Sequence, residues 1–208
     1  KLSKVDKNKV AIRIIDIFIR TWENDDRKLA VTYEDRSRYV AADGKLQSAY
    51  RNIVRAHELY NKAYGKNDIH TIHTRISVAN YIRSFATEDK ADDMLRQITD
   101  DCEEFFESNS QEVPEIIREI ISAYGFRNCK TEKVIRLKKL CYEKCSIIYG
   151  KEHRKSLEAL HEIPGSYSYS DPDRFLSETL NVYYLCLTYL GEEDPLTLSS
   201  KTQLATAY

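Results

Sequence analysis

The sequence has little glycine and proline. Six glycines and four prolines account for 10 of its 208 residues, well below the ~12% of average proteins. Because the tight turns of an all-β sandwich depend on these residues, their scarcity favours helices. Long apolar runs are also missing. The best one, from Ile12 to Ile19, is interrupted by Arg13 and Asp16 and falls short of the ~18 residues that a membrane helix needs, so we expect no membrane contact.

An excess of either charge is lacking too. The chain has 32 Lys and Arg against 33 Asp and Glu, for a net charge of −1. This balance gives no electrostatic reason to expect nucleic acid as a partner. The five cysteines are odd in number and irregularly spaced: Cys102, Cys129, Cys141, Cys145 and Cys186. A disulfide framework is therefore not expected, and we predict a reducing, cytoplasmic location.

What the chain does have is an internal repeat of about 42 residues, the signature of a repeat architecture. In three segments a glycine, a short polar linker, a small hydroxyl residue and an aliphatic residue follow one another: Gly65 to Ile72, Gly150 to Leu157 and Gly191 to Leu198. We take the aliphatic residue as an anchor. With two weaker copies, the anchors are Ala30, Ile72, Ile116, Leu157 and Leu198, at spacings of 42, 44, 41 and 41 residues.

The residues after each anchor predict pairs of helices. A small residue stands at +7 from most anchors and an apolar one at +10, as in Ile72, Ala79 and Ile82. These positions share one helix face, and the small residue lets a neighbouring helix approach closely. We call the anchor-bearing helix A and the following apolar-periodic helix B. The A helices are predicted at 28–42, 70–86, 113–127, 153–163 and 194–208, and the B helices at 3–22, 44–64, 88–107, 130–149 and 171–190. The predicted fold is all-α, a right-handed superhelix of about nine to ten antiparallel helices.

Several helix ends carry recognisable signals. Pro114, Pro172 and Pro195 mark first turns, and Gly65, Gly150 and Gly191 stand just past B helices, where a left-handed residue ends a helix. By contrast, Pro164-Gly165 interrupts the fourth A helix, which we expect to be short or kinked. We expect a single repeat domain over residues 1–208. Because the chain begins without Met and ends on an A helix with no B partner, we also expect it to be a fragment of a longer protein.

The repeat resembles the tetratricopeptide (TPR) family, and within it the ~42-residue repeats of kinesin light chains. The sharpest copy, from Leu190 to Leu198, reads Leu-Gly-Glu-Glu-Asp-Pro-Leu-Thr-Leu and continues as Gln-Leu-Ala-Thr-Ala-Tyr from Gln203. The resemblance implies a scaffold whose concave side binds peptides. The family's Asn before Leu-Ala, which holds the backbone of a bound peptide, is replaced here by Asp35, Ser77, Ile121, Glu162 and Gln203.

In such a superhelix the A helices line the concave side, so the residues at about +1, +5 and +8 from each anchor face it. We call these residues, with Arg127 one turn further along, the A-helix stripe. Its members are Asp35, Arg38, His73, Ser77, Asn80, Ile117, Ile121, Tyr124, Arg127, Glu158, Glu162, Ser199 and Gln203. The stripe is polar with an apolar middle and would suit a peptide with one apolar anchor and flanking charges. The alternative is a solvated face, with partner contacts elsewhere.

Other clusters have simpler interpretations. His70 and His73 are spaced for a metal, but His70 also holds a position that the family often uses for helix capping. Cys141 and Cys145, four apart on a B helix, are interpreted as core residues. The basic run from Arg127 to Lys144 is interpreted as a solvated helix face, with a patch for an acidic partner as the alternative.

No phosphate loop, nucleophile elbow or HExxH motif is present. We therefore predict a non-catalytic module without metal or cofactor, which binds a protein or peptide and contacts neither nucleic acid nor membrane. The alternative is a peptide-gated sensor domain of a multidomain signalling or transcription regulator.

Overall fold

The computed structural model describes residues 4–85, 88–128 and 131–207, and their side chains except those of residues 4–6 and 126–128. This part of the chain forms α-helices and one 3₁₀ turn, without a strand. The helices are α1 (Lys4–Thr21), α2 (Asp26–Ala42), α3 (Leu46–Tyr64), α4 (Ile69–Phe85), α5 (Glu88–Asp101), α6 (Glu103–Glu107), α7 (Glu112–Asn128), α8 (Glu132–Tyr149), α9 (Arg154–His161), α10 (Pro172–Leu190) and α11 (Pro195–Ala207), and the 3₁₀ turn is Pro164–Ser166. The predicted all-α class is confirmed.

Each predicted helix has a counterpart, with one addition. The B helix predicted at 88–107 is divided at Cys102 into α5 and the short α6. Asp100 and Asp101 end α5 and Glu103 begins α6, and no basic residue stands in the last turn of α5. Because the carbonyl end of a helix favours cations and disfavours carboxylates, this acidic run is a poor continuation of α5.

The chain divides into two compact units, Lys1–Glu103 and Glu104–Tyr208. In unit 1 the core is formed by α2, α3 and α4, with Ala30 and Ala56 fully buried among Ile53, Leu59 and Val78. Two alanines at the contact let α2 and α3 approach closely, as expected for small residues at a helix crossing. The domain assignment from sequence, a single repeat domain, stays a prediction.

Unit 2 contains α7 to α11. Leu157, Val182 and Cys186 form one of its buried clusters, and Ile163, Tyr167 and Phe175 form another. A buried cation also contributes, because Lys144 of α8 donates from Nζ to the carbonyls of Glu107 and Ser108 at 3.2 and 3.3 Å and reaches Asn109 Oδ1 at 3.5 Å. This one side chain fixes the turn that precedes α7.

The anchors occupy the core as predicted, except at the last repeat. Ala30, Ile72, Ile116 and Leu157 are all buried, whereas Leu198 is 47% exposed. Ala205, at +7 from Leu198, is exposed too. Helix α11 packs mainly against α10, and within the described residues the side of α11 that carries Leu198 and Ala205 is exposed.

The turns between B and A helices use glycine in a conformation closed to other residues. Gly65, Gly150 and Gly191 end α3, α8 and α10 with φ of 90°, 94° and 91° and ψ between 148° and 171°. The sequence prediction was a left-handed helical residue, but this extended region at positive φ is still more specific to glycine. A Cβ at any of the three would meet no atom within 4 Å, so the restriction comes from the backbone.

The helix caps after these turns correct one prediction. The residue four before the anchor accepts the N–H of the residue two further on: Asp68 Oδ1 from His70 at 2.9 Å, His153 Nδ1 from Lys155 at 3.2 Å, and Asp194 Oδ1 from Leu196 at 2.9 Å. The capping role suggested for His70 was wrong. Its ring instead stacks on Tyr60, with centroids 5.2 Å apart, because Asp68 already occupies the cap.

The fourth A helix is cut short, as Pro164 predicted. Helix α9 has 8 residues, against 17 in α2, α4 and α7. The 3₁₀ turn and an irregular segment follow, in which Tyr167 is buried and Tyr169 is 86% exposed. The sequence did not predict a second irregularity, at Gly125, whose φ of 71° and ψ of 176° kink α7 near its end.

Candidate peptide-binding surfaces

The first part of the A-helix stripe lies on α2 in unit 1. Arg38 forms ion pairs with Glu34 and, at 3.1 Å, with Asp35, so these charges largely compensate one another. Two apolar side chains stand on the same face, Val31 at 51% and Tyr39 at 40% exposure. The stripe as predicted left them out, although Val31 stands at +1 from its anchor and Tyr39 follows the +8 position.

Helix α4 carries the next part of the stripe. His73 and Ser77 are half-buried and Asn80 is exposed. The side-chain amide of Asn80 has no hydrogen-bond partner among the described residues of the chain. Ser37 Oγ of α2 lies 3.1 Å from Tyr81 Oη of α4, so a hydrogen bond links the two A helices. The face of α4 thus presents small polar groups beside the apolar and paired charged groups of α2.

In unit 2 the predicted stripe is only partly accessible. Ile121 of α7 is half-buried, but Ile117 and Tyr124 are 0% and 5% exposed. The prediction that Ile117 and Tyr124 face a partner was therefore wrong, because the core of unit 2 buries both side chains. Arg127 belongs to α7, but its side chain lies outside the described residues.

The remaining stripe residues give unit 2 an acidic face. Glu158 is half-buried with Arg154 at 3.8 Å, and Glu162 is exposed just past the end of α9. The backbone carbonyl of Glu162 accepts from Lys138 Nζ at 3.0 Å, while its carboxylate stays accessible. Gln203 of α11 is half-buried beside Gly165, where an added Cβ would lie 3.4 Å from Gln203 Nε2. Ser199, one turn before Gln203, is exposed.

The A helices of unit 2 are joined by backbone acceptors. Arg118 of α7 donates from Nη2 to the carbonyl of Lys155 in α9 at 3.1 Å. His161, at the end of α9, lies near the backbone of Ser199 in α11, and burial lowers the pKa of its imidazole. These links hold Ile121, Glu158 and Glu162 on neighbouring helices of one packed unit.

The two cysteines of α8 form a buried thiol pair next to a cation. Cys141 and Cys145 are both buried, and Arg118 Nη2 lies 3.9 Å from Cys145 Sγ. A hydrogen bond from Cys141 and the positive charge of Arg118 lower the pKa of Cys145 to about 7. The same hydrogen bond, together with burial, raises the pKa of Cys141. Both side chains lie in the interior of unit 2, as a core role requires.

The interpretation of the basic run as a solvated face needs correction. Lys138 donates to the Glu162 carbonyl and to Ser166 Oγ at 3.0 Å each, and Lys144 is buried. Part of the basic run therefore has a structural role within unit 2, because Lys138 and Lys144 donate hydrogen bonds to backbone carbonyls at turns of the chain. Lys130 and the side chain of Arg127 lie outside the described residues.

Metal and membrane signals are weak in the described chain. In residues 4–85, 88–128 and 131–207, no group of three or more His, Cys, Asp and Glu side chains converges on a point where a metal ion would fit. Of the helices α1 to α11 in the described part of the chain, none is both long and apolar enough to cross a bilayer.

Comparison with known proteins supports the fold. The chain matches a crystal structure of nearly identical TPR-like repeats assigned to a kinesin light chain of Podosopora anserina, with a TM-score of 0.70 and 17% identity over 89% of this chain and 87% of that one. It also matches BtubC (BKLC) from P. vanneervenii, with a TM-score of 0.72 and 13% identity over 100% of this chain and 84% of that one. No family model and no curated protein sequence matches. The predicted TPR-like, kinesin-light-chain-like repeat fold is thus confirmed.

Proposed function

We propose that this chain is a non-catalytic scaffold that binds peptide or protein segments on the exposed faces of its A helices. One observation carries the proposal. In α2 and α4 the anchor and +7 residues are buried, whereas Asp35, Arg38, His73, Ser77 and Asn80 on the same helices keep accessible side chains. These side chains form a helix face that is not buried in the core. Repeat proteins bind their partners on such faces, which neighbouring repeats extend into one surface.

The chemistry of the two units predicts different features in a partner. In unit 1 the exposed Val31 and Tyr39 favour an apolar side chain, and the free amide of Asn80 can bond a peptide backbone. In unit 2 the exposed carboxylate of Glu162 favours a basic side chain next to the half-buried Ile121. We therefore expect the partner segments to combine apolar and basic residues.

A peptide array probed with the purified chain tests this proposal. For peptides that bind, Asn80→Ala should weaken binding about 2- to 13-fold, because a net hydrogen bond contributes about 0.5–1.5 kcal/mol. Asn61→Ala, an exposed asparagine on the B helix α3, is the matched control and should change nothing. Binding that is indifferent to Asn80→Ala would exclude this face of α4.

The acidic face of unit 2 has its own test. Glu162→Gln should reduce binding of basic peptides and make the remaining binding less sensitive to salt. Glu143→Gln, an exposed glutamate on α8, should leave both properties unchanged. Equal effects of the two substitutions would point to non-specific attraction by surface charge instead of a binding face.

We also propose a reducing cytoplasmic location. The four cysteines in the described part of the chain, Cys102, Cys141, Cys145 and Cys186, are all free thiols buried in the two units. Buried thiols without disulfide partners are typical of proteins that fold where glutathione keeps cysteines reduced.

A further inference from the structure

Unit 2 contains a pocket of about 260 Å³ at the position where α9 ends. Its lining residues are Lys139 from α8, Leu160 from α9, Ile163 and Pro164 from the segment after α9, and Glu178, Asn181 and Val182 from α10. The four apolar residues are buried or half-buried, whereas Lys139 and Asn181 are exposed. The pocket therefore has an aliphatic wall and a polar mouth.

The short A helix explains why a pocket exists here. Helix α9 is 8 residues long, against 17 for α4, and a helix rises ~1.5 Å per residue. Pro164 prevents α9 from continuing, because a proline inside a helix removes a hydrogen bond and collides with the preceding turn. The 3₁₀ turn that replaces the missing turns leaves space between α8 and α10. The pocket is lined by the B helices α8 and α10 and by the end of the A helix α9, and none of the A-helix stripe residues is part of its lining.

The charges at the mouth are unequal. Glu178 Oε1 accepts from Arg174 Nε at 2.8 Å, so its carboxylate already has a cationic partner. The ammonium of Lys139 lies 5.9 Å from the centroid of the Tyr167 ring, and within the described residues it forms no ion pair with a carboxylate, although Glu178 lines the same pocket. The amide of Asn181 likewise has no hydrogen-bond partner in that part of the chain. A cation without an ion-pair partner and a free amide thus stand beside an aliphatic wall.

We propose that this pocket binds a short, branched aliphatic carboxylate. The carboxylate would accept hydrogen bonds from Lys139 Nζ and Asn181 Nδ2, while the alkyl group packs on Leu160, Ile163 and Val182. The volume fits this class: a cavity of ~150 Å³ holds benzene, and drug-sized ligands need about 300–1,000 Å³. A small-molecule site of this kind goes beyond the scaffold function and does not depend on it.

Calorimetric titration with 4-methylpentanoate tests the proposal, with 4-methylpentanamide as the uncharged analogue. The carboxylate should bind about tenfold tighter than the amide, and Lys139→Gln should remove that difference, because hydrogen bonds to charged groups are the stronger ones. Arg136→Gln, an exposed cation one turn earlier on α8, should leave both affinities unchanged. Equal binding of acid and amide, or no saturable binding of either, overturns the proposal.

Two further arms address the wall and the mouth. Asn181→Trp should block the pocket, whereas Thr188→Trp, exposed two turns later on α10, should bind like the unaltered chain. Leucine should bind more weakly than 4-methylpentanoate. The ammonium of leucine would need a carboxylate partner, and the carboxylate of Glu178 already forms an ion pair with Arg174. Tighter binding of leucine would overturn the assignment to simple carboxylates. Peptide binding by the A-helix faces is measured in a separate assay. If that assay finds no peptide binding, the expected affinities of the pocket for 4-methylpentanoate and for leucine stay the same.

Discussion

Lys144 makes three polar contacts that depend on the ammonium at the end of its side chain. Its Nζ donates to the carbonyls of Glu107 and Ser108 and reaches Asn109 Oδ1. Lys144 is only 8% exposed, so its ammonium depends on these acceptors in place of water. Hydrogen bonds to a charged group contribute about 1.5–3 kcal/mol to stability.

We therefore expect Lys144→Met to lower the free energy of unfolding by about 2 kcal/mol, although methionine keeps the apolar stem. Urea unfolding followed by circular dichroism measures this. Arg136→Met, on an exposed position of the same helix, should stay within about 0.5 kcal/mol. Equal stability of Lys144→Met and the unaltered chain would mean that the turn before α7 does not need this cation.

The thiol of Cys145 predicts a pH dependence of stability. The hydrogen bond from Cys141 and the charge of Arg118 lower its pKa from 9.0 to about 7. A group whose pKa is lower in the folded state contributes stability that is present above the unfolded pKa and is lost as pH falls through the folded one. Under reducing conditions, stability should therefore rise between pH 7 and pH 9.

Cys145→Ser should flatten that rise when the free energy of unfolding is measured at pH 7, 8 and 9. Cys102→Ser is the control, because burial raises the pKa of the Cys102 thiol to about 11, so this thiol stays protonated over that range. A rise that persists in Cys145→Ser would assign the pH dependence to other groups.

At the scale of single elements, the turns between repeats depend on backbone conformation. Gly150 adopts φ 94° and ψ 148° after α8, a region that costs other residues about 1–3 kcal/mol. Gly150→Ala should lower stability by that amount even though its Cβ would meet open space. Gly165→Ala, at an ordinary φ, should remain within about 0.5 kcal/mol. Thermal unfolding of the two variants compares them, and equal melting temperatures would refute the backbone argument.

The sequence predicted the helices well because the repeat is a pattern of burial. Anchors such as Ile72 and Leu157 are buried against a neighbouring helix once in each repeat. Their spacing in the sequence is therefore enough to position the A helices. The caps were harder, because Asp68 and His70 are both capable of capping and only the backbone geometry selects Asp68. The break at Cys102 depends on charges near a helix end, which periodicity does not detect.

The candidate site was predicted less completely than the fold. The rule that positions +1 and +8 face outward assumes that one side of each A helix is buried. It holds for Asn80, but in α7 the adjacent Ile116 and Ile117 are both fully buried, so the covered face is wider. Two adjacent isoleucines in the sequence of an A helix therefore indicate that the buried face of that helix is wider than in the other repeats. The pocket next to Pro164 was foreseen only as an irregularity, because its walls come from three segments distant in sequence.

At the scale of the whole molecule, the balance of charges has a practical consequence. The 32 basic and 33 acidic residues give a sequence isoelectric point near 6.6. With almost no net charge, repulsion between molecules is weak, and association is favoured. Light scattering should therefore show the most self-association near pH 6.6 and less at pH 8.5. A minimum of scattering at pH 6.6 would contradict this expectation.

The irregular segment between α9 and α10 also has a consequence for handling the protein. Tyr169 is the most exposed of the large hydrophobic side chains in the described chain, at 86%, and it stands between Ser168 and Ser170. Exposed tips with small polar residues are the preferred sites of proteolytic nicking. Chymotrypsin at low dose should thus cut first after Tyr169, and the two fragments would provide a simple assay for whether a bound ligand closes this part of the surface.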